Sequence, residues 1–244
     1  MSLLDDVIIS LPGDAPVRSV LVGAHWVVVC SRSCGMASAL HDDHPHGSPS
    51  VREAGRLHLK SAKELVQLLH SDSALEASIG MAAINSLLEV DESAAVEVNA
   101  VDVLAERGRG KNVALVGHFP FIPQLRQSVG QLWVVEKRPT EGEYPAEAAP
   151  ELLSRADVVA ITGTAFINRT MDDMLGYCRP EATVMVLGPS TLLSPLLYNY
   201  GVDILSGMRV VDEAAVLRTV GQGASFRQVE GTKLLTFVKE KESR

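Results

Sequence analysis

Apolar positions along the chain change their rhythm near residue 105. Before it, two valine-rich runs of strand length are followed by stripes of helical period. After it, continuous apolar runs of four or five residues recur, each closing on a glycine, a threonine or an acid. In the first regime residues 2 to 10 read as a short amphipathic helix, closed by Leu11-Pro12-Gly13. Residues 17 to 22 and 26 to 30 read as strands, and the Gly23-Ala24-His25 break between them predicts a hairpin. A third extended piece is expected near residues 36 to 40. Ser61-Ala62-Lys63-Glu64 has the spacing of a capping box. Residues 74 to 89 form a longer helix, with Ile79, Ala83, Ile84, Leu87 and Leu88 as its apolar stripe and Ser78 and Asn85 on a shared face. Strands first and helices after describe an α+β unit, assigned to residues 1–108.

In the second regime the apolar runs at residues 113–116, 132–136, 157–161 and 183–187 lack alternation, as strands covered on both faces do. A short strand at 202–205 and a final one at 233–238 follow. Helices are expected over 146–155, after Thr170, after Ser190 as far as Gly201, and from an Asp212 cap to about residue 220. Strand and helix alternating at this spacing predict an α/β unit over residues 109–244, with a mainly parallel sheet and helices on both faces. Its loops converge on the carboxyl edge, where open sheets of this kind bind ligands. Residues 96 to 110 read as a crossing segment and a linker.

Composition narrows the field. The chain has 244 residues, enough for one or two domains. A net charge of -8 argues against nucleic acid or an anionic membrane as partner, since both select basic surfaces. No apolar run reaches bilayer length and the start turns acidic at Asp5-Asp6, so a cytoplasmic setting is expected. Three cysteines are too few for a disulfide framework, which agrees with a reducing compartment.

Candidate chemistry gathers on the expected carboxyl edge. Gly117-His118-Phe119-Pro120 follows the first strand of the second unit. One glycine replaces the three of a dinucleotide fingerprint, which argues against NAD or FAD; the same residues would also serve as a plain turn. His118 is a candidate ligand or general base, because imidazole titrates near neutrality. Glu136 closes the second strand nearly twenty residues past Gly117, where dinucleotide folds grip ribose hydroxyls. Thr162-Gly163-Thr164 offers two hydroxyls. Asn168 and Thr170 follow, and Thr170 with Asp173 has cap spacing. Gly188-Pro189-Ser190 places a natural N-cap and its amides at the fourth strand end, a pattern that binds anions. Asn85 either lines a cleft or is a satisfied buried amide. For metals, His44 and His46 flank Pro45 within the His41–Gly47 run, which also reads as a solvated loop. Cys30 and Cys34 would stand roughly 13 Å apart if the chain between them stayed extended, and then read as small core residues; only a turn at Arg32-Ser33 would bring them together as a metal pair.

These stretches resemble a known family. Gly117-His118-Phe119-Pro120, Val135-Glu136-Lys137-Arg138-Pro139, Ala156-Asp157, Ile161-Thr162-Gly163-Thr164, Asn168-Arg169-Thr170, Leu187-Gly188-Pro189-Ser190-Thr191, Gly201-Val202 and Ser206-Gly207 are similar to the DUF364 proteins, a family linked to heavy-metal chelation. Ser33-Cys34-Gly35-Met36 and the Ser78–Ser86 segment resemble the DUF4213 region that precedes it. The resemblance implies an enolase N-terminal-like domain joined to a Rossmann-like domain, with a site in the cleft between them. The expected ligand is a small anionic metabolite or a metal chelate. Gly117, His118, Thr162, Gly163, Thr164, Gly188 and Ser190 would form the floor and Asn85 a wall. Phe119, Pro120, Asn168, Thr170, Pro189 and Gly207 are further matched positions. Two other readings stay open: a transferase or lyase using a nucleotide-type cosubstrate such as S-adenosylmethionine, which would need Glu136, and a ligand-responsive interaction module without catalysis. A heavy-metal ion is the implied cofactor, and a homodimer is one arrangement the cleft would allow.

Overall fold

The computed structural model describes residues 2–42, 50–96 and 98–239. His44 and His46 lie outside the described residues. The chain opens with helix α1 (Leu3–Ser10), where Ser2 and Asp5 close a capping box and Leu3, Leu4 and Val7 turn inward. Strands β1 (Ser19–Val22), β2 (Trp26–Cys30) and β3 (Cys34–Ser38) follow as an antiparallel meander. Helix α2 (Ala62–Val66) starts at the expected box, with Ser61 Oγ accepting from Glu64 N and the Glu64 carboxylate accepting from Ser61 N.

The third strand begins at Cys34, two residues earlier than its sequence indicated. Ser31 N donates to Ser33 O at 2.7 Å, and this tight turn sets Cys30 opposite Cys34 across the hairpin. Their Cα atoms are 4.0 Å apart and their sulfurs form a disulfide. The turn that alone would bring the pair together is the arrangement found, and the reading of two separate small core residues is corrected. The turn folds the chain back before the two sulfurs can diverge.

Helix α3 (Ala74–Leu87) departs from its expected single stripe, because 12 of its 14 residues are buried. Small residues make this fit. A Cβ on Gly35 of β3 would lie 2.2 Å from Ala82 O, and one on Gly80 would lie 2.4 Å from Leu69 N. The helix thus has the meander against one side and the segment before it against another. A charge inside this packing needs partners. Glu76 accepts from Arg52 and from Ser71 Oγ at 2.6 to 3.1 Å.

The expected crossing segment contains helix α4 (Ala100–Arg107). The large sheet then holds β4 (Asn112–Val116), β5 (Gln131–Glu136), β6 (Tyr144–Pro145), β7 (Val158–Thr162), β8 (Thr183–Leu187), β9 (Ile204–Val210) and β10 (Thr232–Val238). Its order is β10-β9-β8-β7-β4-β5-β6, and β10 alone pairs antiparallel. Between its strands the chain forms α5 (Ile122–Ser128), α6 (Ala149–Leu153), α7 (Thr164–Ile167), α8 (Met171–Gly176) and α9 (Glu213–Gly221), the last packed against β1 and β2 of the meander. Along each strand alternate residues serve two cores. Val113, Leu115, Val158, Ala160 and Met185 meet α4 and α5, through Val103, Leu104, Ile122 and Leu125. Ala114, Val159, Ile161, Val184 and Val186 share a continuous core with α1, α2 and α3 of the first half. The architecture is α/β, with a smaller α+β region leading into a mostly parallel sheet. Among the described residues no helix is long and apolar enough to cross a membrane.

Three expected elements shift. No helix follows Ser190 directly; a 3-10 helix spans Pro195–Tyr200 and stops at Gly201, whose φ of +85° only glycine adopts cheaply. Pro195 explains the delay, because its ring suits the first turn of a helix and no later position. Strand β9 runs on to Val210 because β10 pairs with it along its whole length, so Gly207 lies inside a strand, opposite Leu235. The helix expected from residue 146 begins as a 3-10 turn, Ala146–Ala148, before α6.

Candidate functional site

Strand order fixes where the sheet can open. From β4 the chain builds outward to β5 and β6, then returns to the opposite side of β4 with β7 and continues to β8 and β9. The loops after β4 and β7 therefore leave in opposite directions and part at the carboxyl edge, the switch point of a doubly wound sheet. Gly117, Thr162 and Gly188 stand at three adjacent strand ends there.

The first two are in near contact. Gly117 has a φ of +108°, and a Cβ on it would meet Thr162 Cβ at 3.0 Å. Gly188 also has a φ of +108°. The Phe119 ring spans both: its Cε2 lies 3.2 Å from the Cβ position of Gly117 and its Cε1 3.9 Å from that of Gly188. Phe119 also stacks on Phe121, with centroids 5.0 Å apart. Phe119 is thus a spacer between the β4 and β8 loops, while Pro120 is exposed.

Thr162 and Thr164 supply hydroxyls. Their Oγ1 atoms are 3.0 Å apart, and Thr164 N donates to Thr162 Oγ1 at 3.3 Å. Gly163 allows the β7 loop to lie on the β8 loop, since a Cβ would come within 2.5 Å of Thr191 N. Thr191 is fully buried, and its Oγ1 has no hydrogen-bond partner among the described residues. A buried unpaired hydroxyl is costly and calls for an explanation.

Ser190 caps no helix. Its Oγ accepts from Ser38 N at 2.9 Å and donates to Ser38 Oγ at 3.2 Å, tying the β8 loop to the end of β3. Pro189, half-buried, sits within the same loop. The first half thus reaches the sheet edge through β3.

His118 projects outward, and its Nδ1 lies 2.7 Å from Glu143 Oε1. Glu143 was not anticipated. Its signal is the Thr140-x-x-Glu143 spacing: Glu143 Oε2 accepts from Thr140 N at 2.8 Å and Glu143 N donates to Thr140 O at 3.0 Å. The Thr140 amide holds the Glu143 carboxyl below its ordinary range; burial opposes this and the His118 hydrogen bond adds to it. An ionised carboxylate only accepts, so Nδ1 carries the proton of this hydrogen bond.

The remaining candidates are dispersed. Glu136 ends β5, but its Oε2 accepts from Lys137 N at 2.9 Å. Asn168 terminates α7. Thr170 precedes α8 without a side-chain cap bond, donating instead to Ala165 O at 3.5 Å. Between them Arg169, at a φ of +57°, donates to Ser71 O in the first half. Gly207 backs Thr191 and Leu193. Asn85 donates to Met36 O at 3.1 Å and lines a small cavity with Cys34, Leu193 and Arg209, which includes none of the strand-end residues.

A bare soft cation does not suit the strand ends. They offer hydroxyls, amides and one imidazole, whereas soft ions select thiolates and grouped imidazoles. Among the described residues, three metal-ligating side chains converge instead at Cys30, Cys34 and Glu213.

Residues 99–239, over half of the chain, match the DUF364 profile, described as "Putative heavy-metal chelation". Residues 4–88 match DUF4213, which carries the same description. An uncharacterised protein of Methanocaldococcus jannaschii is 25% identical over 162 residues, 63% of this chain. The match spans 62% of that relative's length. A crystal structure of a DUF364 protein of unknown function from Desulfitobacterium hafniense superposes with a TM-score of 0.84 at 26% identity, covering 97% of this chain and 98% of that one. Another from Pyrococcus horikoshii, at 18% identity, has a TM-score of 0.81 over the same shares and speaks for the fold alone.

Proposed function

Because the chain belongs to the DUF364 family, we propose that it binds a small organic anion, or a metal already held by such a chelator, where the β4, β7 and β8 loops meet the end of β3. The observation that carries this reading is the buried, unpartnered Thr191 Oγ1 beside the Gly163 and Gly188 turns. A hydroxyl in that position gains a partner when a ligand oxygen enters. Thr162 and Thr164 add hydroxyls and His118 Nε2 adds a nitrogen. Glycine at these turns keeps the backbone open to close approach. The first half serves as the opposite wall through Ser38.

A metal delivered as a chelate agrees with the family description without requiring a thiolate cage at the sheet edge. The cosubstrate-dependent transferase or lyase reading has less support, since the Glu136 carboxylate is engaged by the Lys137 amide.

Native mass spectrometry of the purified protein tests the proposal. A retained organic adduct is expected on the wild-type chain. It should be lost from a His118→Ala/Thr164→Ala variant that keeps its circular dichroism spectrum. An undiminished adduct on that variant would sink the assignment.

A further inference from the structure

We propose that Cys30, Cys34 and Glu213 form a second site, gated by thiol–disulfide exchange, that takes one soft divalent cation when the cysteine pair is reduced. The inference uses none of the strand-end residues and stands whether or not they bind a ligand.

Cys30 closes β2 and Cys34 opens β3, directly opposite in the hairpin register. Their Cα atoms, 4.0 Å apart, keep the two sulfurs together in either redox state. Glu213, the first residue of α9, brings a carboxylate oxygen to within 4.8 Å of both sulfurs. Two thiolates and a carboxylate are three ligands, and a water completes a tetrahedron. Thiolates select soft ions over magnesium or calcium. The surroundings are apolar, with Val28, Met36, Val210, Val216 and Val220 packed around the pair. Low polarity strengthens attraction between thiolate and cation.

Charge balances in both states. In the oxidised state the disulfide is neutral and Glu213 Oε2 pairs with Arg18 Nη2 at 2.7 Å. In the reduced state two thiolates, one carboxylate, one guanidinium and a divalent cation again sum to zero. Arg18 is half-exposed, and a surface pair of this kind yields at small cost.

The gate is an exchange with a dithiol. A thiolate of the reductant attacks the sulfur of Cys34, the more accessible of the pair, and Cys30 leaves as a thiolate. The reductant's second thiol then resolves the mixed disulfide. Cys30 and Cys34 end as thiols, and the reductant, having given two electrons and two protons, ends as a disulfide. A divalent cation binds by displacing the two thiol protons. Cys178 is the remaining cysteine. Burial pushes its thiol up to about 11, so it supplies no thiolate near neutral pH.

The test uses the full chain and cadmium(II). One sample is kept oxidised; another is reduced with a phosphine, which leaves no competing thiol, and desalted anaerobically. The reduced protein should bind one cadmium per chain with the ultraviolet charge-transfer absorption of cadmium–thiolate bonds, and the oxidised protein should show no such band. Glu213→Gln should weaken binding at least about tenfold while retaining the band. Cys30→Ser/Cys34→Ser, which keeps Cys178, should lose it. Absence of the band from the reduced wild type, or an equal band in the double variant, overturns the proposal. Because the wild type serves as its own oxidised control, misfolding of a variant cannot mimic the difference between the two redox states. Cadmium bound without the band would lie elsewhere and would also count against it.

Discussion

His118 Nδ1 lies 2.7 Å from Glu143 Oε1, so a carboxylate from the loop after β5 sets the ring of the residue that follows β4. The imidazole is largely exposed while the Glu143 side chain is nearly buried. The buried partner is the fixed one, and it orients the other.

Glu143→Gln should therefore change the tautomer before it changes the fold. With wild-type protein, nitrogen NMR at neutral pH should report His118 protonated at Nδ1. The variant, whose amide can donate as well as accept, should show a mixture. An unchanged Nδ1-protonated spectrum would show that Glu143 does not set the ring.

Acid stability follows from two carboxylates held low. Burial alone would raise Glu76, but its bonds from Arg52 and Ser71 outweigh this and hold it below its ordinary value of 4.5. Glu143 is likewise held below 4.5. A carboxyl with a lowered folded-state pKa contributes stability that is present above 4.5 and lost as pH falls through the folded value. Glu76→Gln should cost about 1–3 kcal/mol near neutrality, as charged hydrogen bonds become neutral ones. Its unfolding midpoint should also fall less steeply with acid than that of the wild type. Denaturant titrations between neutral pH and mild acid decide this; parallel pH profiles would refute it.

The two positive-φ glycines should differ. Alanine at either position adopts a strained backbone, worth about 1–3 kcal/mol. At Gly188 the new Cβ finds room, with Phe119 Cε1 3.9 Å away. At Gly117 it meets Thr162 side-chain atoms at 3.0 and 3.1 Å. Gly117→Ala should be the more destabilising of the two in urea. The reverse order would mean that the β7 loop yields more easily than its packing implies.

Thr191→Val tests whether the buried hydroxyl exists for a ligand. Valine fills the same volume without a polar atom, so stability of the ligand-free chain should stay within about 1 kcal/mol of wild type or rise. Any adduct seen by native mass spectrometry should bind more weakly. A large loss of stability instead would show that Oγ1 serves the fold.

Much of this was legible in the sequence. The Ser61-x-x-Glu64 box and the Asp212 cap are local chemistry, readable because one side chain meets an amide three residues away. The strand ending at Leu187 and the glycine after it were equally plain, since uninterrupted apolar runs mark strands buried on both faces. What escaped depends on which element lies beside which. Ser190 looks like an N-cap in isolation and becomes a clasp only because β3 arrives next to it. Asn85 shares a helix face with Ser78, yet it is occupied by the Met36 carbonyl, and no spacing reveals that β3 lies there. Cys30 and Cys34 were separated by the assumption of extended chain, which one hydrogen bond across Ser31–Ser33 undoes.

The hydroxyl contact between Ser38 and Ser190 has a thermodynamic corollary. The loop that would hold the ligand also fastens the first half to the sheet, and one core runs beneath both. An occupant that steadies the loop must therefore raise the free energy needed to pry the halves apart. By reciprocity, any solvent or substitution that loosens that seam must release the occupant in equal measure. On the proposed binding, affinity and cohesion would be two readings of one coupling.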